Sequence, residues 1–70
     1  MHLTQNKNFA TLFSSTTGAV QAGQKAVMKI PEVMNARALH FERRVPDYTG
    51  KGWVVVVANE TNHDLGFVVL

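Results

Sequence analysis

Residues 53–58 read WVVVVA: Trp53, four consecutive valines and Ala58. β-Branched side chains lose χ1 freedom in a helix and pack well on a pleated surface, so this stretch predicts a strand. A strand with one wet face alternates apolar and polar residues. Residues 53–58 do not alternate, so both faces of the strand need cover.

Downstream, NETNHD (59–64) is a polar turn and LGFVVL (65–70) a second strand, close enough to form a hairpin with the first. Gly66 marks a bulge or a close backbone approach. The second strand does not alternate either. It ends on Val68, Val69 and Leu70, an apolar edge that would be sticky in water.

Upstream, DYTGKG (47–52) reads as a loop. Pro31 and Glu32 make a good helix start, and Met34, Ala38, Phe41 and Val45 then follow at spacings of 4, 3 and 4. Pro46 stops the run. A helix over 32–45 is therefore preferred. The competing reading is a strand over 38–45, with Leu39, Phe41, Arg43 and Val45 on one face and His40, Glu42 and Arg44 on the other. Residues 19–30 favour helix through Ala19, Ala22, Ala26, Val27 and Ile30, although Gly23 costs about 1 kcal/mol relative to alanine. A turn at 22–24 between two short strands is the alternative there. Phe9, Leu12 and Phe13 suggest a short helix over 7–13, broken by the polar run 14–18, with residues 1–6 loosely held.

These elements predict one α+β domain over 1–70, with one or two helices packed on a C-terminal β-hairpin. The alternative is a mostly β domain in which 24–30 and 38–45 are also strands. Only about 45 residues precede the strands, and many are polar, so the helices are expected to cover one sheet face and a second chain to complete the other. Small size points the same way, because a domain this short buries only about 60% of its unfolded surface. An incomplete monomer cut from a longer protein would show the same pattern.

Composition narrows the chemistry. There is no cysteine, which excludes disulfides, thiolate metal sites and a cysteine nucleophile. Charged residues make up 17%, below the usual quarter, so the net charge of +2 is weak support for a nucleic-acid or anionic-membrane partner. The N-terminus lacks a secretory pattern, and the longest apolar run is far too short to span a bilayer. The expected setting is cytoplasmic.

The leading function is a non-enzymatic protein-interaction or assembly module, a homo-oligomer or a binder of another protein, that works through an apolar sheet surface formed by Trp53, Val55, Val57, Phe67 and Val69. The alternative is a small nucleic-acid-binding regulator. All three arginines, Arg37, Arg43 and Arg44, fall within eight positions, and a helix would set Arg37, His40 and Arg44 on one stripe able to meet phosphate. The competing explanation is a solvated face balanced by Glu42. Salt separates the two functions, since phosphate binding weakens as salt rises and an apolar interface holds or tightens.

Other constellations are weaker. Glu60, His63 and Asp64 are residue types of acid–base catalysis, but they sit in a turn where Asn and Asp are expected for backbone reasons. His2, His40 and His63 lack the spacing of a zinc site, and no phosphate loop or other cofactor motif is present. Trp53 and Tyr48 flank the loop before the first strand, as interface anchors or as core residues. An enzyme would need a concave pocket and a motif, and neither is legible.

Overall fold

The computed structural model describes residues 1–46 and 48–70. In chain order it has β1 (His2–Thr4), a 3-10 turn over Lys7–Phe9, α1 (Thr16–Lys29), β2 (Asn35–Val45), β3 (Tyr48–Ala58) and β4 (Asp64–Val69). The strands form one antiparallel sheet in the order β1-β4-β3-β2, with α1 packed on one face. The class is α+β.

The segment around 53–58 is the strand that its valines require, and with β4 it forms the expected hairpin. Val57 pairs with Gly66 and Ala58 with Asp64, so the bulge leaves Leu65 as the extra residue. Gly66 is the close approach: its φ is 150°, and a Cβ there would lie 3.0 Å from the carbonyl oxygen of Thr4 on β1. The turn between these strands is organised by Asn59. Its Oδ1 accepts hydrogen bonds from the Thr61 and His63 amides, each 3.0 Å, and from the Thr61 hydroxyl at 2.9 Å.

Three expectations are corrected. Residues 35–45 are strand β2, not helix. The seam from Met34 to Val45 fits a 3.6-residue period, but alternation fits the same residues, and β3 decides between them. Its outer backbone groups need partners, and β2 supplies them in an unbroken register from Asn35↔Ala58 to Val45↔Tyr48. Residues 48–52, read as loop, are the first half of β3 for the same reason. Residues 7–13 form only the 3-10 turn. Phe13 instead lies extended against β3, exchanging two 2.8 Å backbone hydrogen bonds with Trp53.

Of residues 19–30, preferred as helix, 19–29 are helical and Ile30 is the extended cap, while the helix begins at Thr16, inside the polar run read as a break. The Ser15 hydroxyl caps the helix by accepting from the Gly18 amide at 3.2 Å. Gly23 has a packing reason. A Cβ there would stand 2.9 Å from Cβ of Ala36, so its absence lets α1 lie close to β2. Ala19, Ala22 and Ala26 continue this small-residue face and bury Val33, Val55, Val57 and Val68.

The other face of β3 is also sheltered, and by the chain itself. Val54 to Ala58 are each at most 2% exposed. Cross-strand partners put Leu39 beside Val54, and Arg37 and Phe67 beside Val56. Residues 7–12 cross this face near Gly52, with Ala10 buried. The expectation of a second chain over this face counted only helices as cover and left this segment out, because its spacing read as a short helix rather than as extended chain lying on the sheet.

Candidate functional site

The five residues expected to share one apolar surface lie on both faces of the sheet. Val55 and Val57 are beneath α1 and fully buried. Trp53, on the same face, is partly buried and meets the His40 ring edge-on at 5.2 Å. Phe67 and Val69 are partly exposed on the opposite face. The Tyr48 side chain lies outside what is described.

The three arginines are separated as well. Strand alternation sends Arg37 and Arg43 to the face opposite α1 and Arg44 to the other. Arg37 makes a two-pronged ion pair with Asp64, both contacts 3.0 Å. Since β3 lies between β2 and β4, this pair reaches across β3. The hydrogen bond from Arg37 holds the Asp64 carboxyl below its ordinary range against a smaller opposing effect of desolvation, and the charges of Arg37 and then of His63 add to the lowering. Both side chains remain about half exposed, so the pair adds little stability. Arg44 bonds Glu42 on its own strand.

Arg43 ties down the N-terminal segment. Its Nη2 donates to the carbonyls of Lys7 (3.0 Å) and Ala10 (2.6 Å), while Nε is buried without a partner among the described residues. The Phe41 ring lies beneath both cations, 5.0 Å from Lys7 Nζ and 5.8 Å from the Arg43 guanidinium carbon. Arg43→Ala is expected to lower stability by about 1–2 kcal/mol, because two carbonyls lose a charged donor. Arg37→Ala is expected to leave the urea midpoint almost unchanged. Equal midpoints for the two variants would show that the Arg43 contacts contribute nothing.

In the polar turn, Asp64 is engaged with Arg37 and Asn59 is a backbone organiser. Among the described residues, no three His, Asp or Glu side chains gather as metal ligands would, and no helix is long and apolar enough to cross a membrane.

The large apolar side chains most exposed among the described residues, Met28, Phe9, Leu70 and Met34, are scattered, and a further group flanks one edge of the sheet. β1, one outer strand of the sheet, is three residues long. β2, the other, is eleven residues long, without proline or bulge, and among the described residues its outer edge faces no other strand. Beside that edge runs a shallow groove of about 140 Å³ between α1 and β2, lined by Val20, Gly23, Gln24, Val27, Ala36 and Ala38 among others. Val20 and Val27 are 52% and 40% exposed, and Leu39 on the opposite face is 42% exposed. Sequence reasoning missed Val20 and Leu39. The spacing of Val20, Gln24 and Val27 by four and three was a second helical stripe beside the core stripe, and it was the signal that could have found this flank. No protein-family model, curated protein or solved structure matches this chain.

Proposed function

We propose that this chain is a non-enzymatic assembly module that pairs with a second copy of itself along β2. The observation that carries the reading is the contrast between the two sheet edges. Proteins blunt exposed edges with short strands, bulges or proline, because bare N–H and C=O groups template further pairing. β1 is blunted by length, whereas β2 has neither proline nor bulge and carries no Asp, Glu, Lys or Arg over its central residues 38–41, its charges being Arg37, Glu42, Arg43 and Arg44 on either side.

A twofold axis through Leu39 suits β2 best. An antiparallel pair that continues the sheet sets residues of like parity opposite each other. Centred on Leu39, the register places Arg37 against Phe41 of the partner subunit, Arg43 against Asn35 of the partner subunit, and Ala36 against Glu42 of the partner subunit, with no like charges directly opposed. Centring on His40 instead would oppose Arg37 and Arg43. The ion pair with Asp64 also draws Arg37 inward, away from the edge. The Leu39 register sets both copies of α1 on one side of a continuous sheet, so Val20 and Val27 from each copy approach across the seam. A standard dimer face of about 800 Å² per partner would be roughly a sixth of the 4643 Å² this chain exposes.

Sedimentation of a dilution series from about 1 mM to 1 μM, the range in which small interfaces populate, tests the proposal. The wild-type chain is expected to give dimer mass at the upper end. Leu39→Asp is expected to remain folded, since the side chain is already part-exposed, and to run as a monomer because two carboxylates would meet on the axis. A wild-type monomer throughout the series, or a dimer unaffected by Leu39→Asp, overturns it.

A further inference from the structure

We infer that the sheet face opposite α1 binds single-stranded nucleic acid through a patch built on Lys7, Phe9, Phe41 and Arg43. Strand alternation sends Phe41 and Arg43 to that face. The 3-10 turn over Lys7–Phe9 lies against them, held by the Arg43 bonds to the Lys7 and Ala10 carbonyls. Lys7 Nζ and the Arg43 guanidinium converge on the Phe41 ring, at 5.0 and 5.8 Å from its centre. Phe9, at the end of the same turn, is 72% exposed, an aromatic ring that the core does not use.

The charges of this patch are not balanced locally. The ion pairs among the described residues are Arg37–Asp64 and Arg44–Glu42, so neither Lys7 nor Arg43 has a carboxylate partner there. Glu42 lies on the α1 face with Arg44, and Glu32 and Glu60 line a cleft at the opposite end of β2. Of the three arginines weighed as phosphate contacts, Arg43 alone belongs to the patch. Converging cations call for an anion, and the exposed ring beside them calls for a flat apolar partner. A nucleic-acid strand supplies both, with phosphates for Lys7 and Arg43 and a base face for Phe9. In a duplex the base faces are already stacked on one another, so the strand must be single. An acidic peptide would answer the cations and leave Phe9 unused. An anionic membrane needs a broader apolar face than one ring. Pairing along β2 leaves this face open, because both copies of α1 lie on the other side, and the inference holds with or without that pairing.

The test is fluorescence anisotropy of a labelled oligothymidylate of about ten nucleotides, within the site sizes of such surfaces. The urea midpoint of every variant is measured alongside. The wild-type chain is expected to bind with a dissociation constant of about 10⁻⁴–10⁻⁶ M and to weaken as salt rises from about 50 to 200 mM. Phe9→Leu stays apolar but has no stacking face, and is expected to lose about tenfold in affinity. Lys7→Gln is expected to weaken binding and to flatten the slope of log affinity against log salt by about 0.7, the share of one phosphate contact. Lys25→Gln removes the same charge from the exposed side of α1 and is expected to bind as wild type does. Failure of the oligonucleotide to bind overturns the inference, and binding of polyglutamate or of anionic phospholipid vesicles in its place reassigns the patch. A Phe9→Leu variant that binds as tightly as wild type, or a loss in Lys25→Gln equal to that in Lys7→Gln, also overturns it, since either would leave only net charge at work.

Discussion

Gly52→Ala is expected to detach the N-terminal segment from the sheet and to lower stability by about 3 kcal/mol. A Cβ at position 52 would lie 2.4 Å from the carbonyl oxygen of Phe13 and 3.0 Å from Cγ of Leu12. The Phe13 oxygen cannot yield cheaply, because it accepts the Trp53 amide at 2.8 Å while the Phe13 amide donates back to Trp53 at the same distance. Neighbouring bonds would be lost with them: the Thr11 amide donates to the Val68 carbonyl at 3.0 Å, and the Leu70 amide to the Thr11 hydroxyl at 2.9 Å. Overpacking alone costs about 1–3 kcal/mol, and each displaced hydrogen bond about 1 kcal/mol more. Hydrogen exchange locates the damage. The amides of Thr11, Phe13 and Trp53 are expected to lose protection, whereas Val57 and Val68, under α1, keep theirs relative to global unfolding. Unchanged exchange at Phe13, with an unchanged urea midpoint, would mean that Phe13 does not dock on β3.

Gly52 shows why part of this fold was legible in the sequence and part was not. In GKG at 50–52 it reads as a loop residue, and nothing local says that a backbone distant in sequence will lie against it. The valines of β3 and the alanines of α1 were legible because their own stereochemistry selects strand and helix. β2 was not, because ARALHFERRV satisfies both periods and is decided by the bare edge of β3, a non-local fact. The candidate surface depended on the same misread element. As a helix, 32–45 would have gathered Arg37, His40 and Arg44 on one stripe. As a strand it separates them, engages Arg37 with Asp64, and leaves an outer edge that no helical reading could contain. The need to cover both faces of residues 53–58 was correctly read. What the sequence concealed was that residues 7–12, whose spacing suggests a short helix, instead run over this face of the sheet beside Gly52, Phe41 and Arg43.

Val55→Asp separates these two views most sharply, and is expected to abolish the folded state. If Val55 lay on an interface between copies, as the strand's composition alone suggests, the aspartate would yield a folded monomer. In the structure Val55 is 1% exposed, packed among Ala19, Ala22 and Val57 with no cationic side chain in that cluster. A carboxylate there has neither water nor a partner, and burying it so, or protonating it to avoid the charge, costs several kcal/mol. Stability of about 0.05–0.15 kcal/mol per residue leaves a chain of this size too little margin to absorb that loss. Loss of the far-UV strand and helix signature and collapse of amide dispersion are the expected observations. Val55→Ala, which removes two methyl groups without adding charge, is expected to stay folded and lose about 2–3 kcal/mol. A folded, monomeric Val55→Asp would show that α1 does not cover β3 and would return the interface to the strand's own face. An unfolded Val55→Asp beside a folded, monomeric Leu39→Asp would divide the apolar residues as the structure does, with β3 holding the fold together and β2 meeting a second copy.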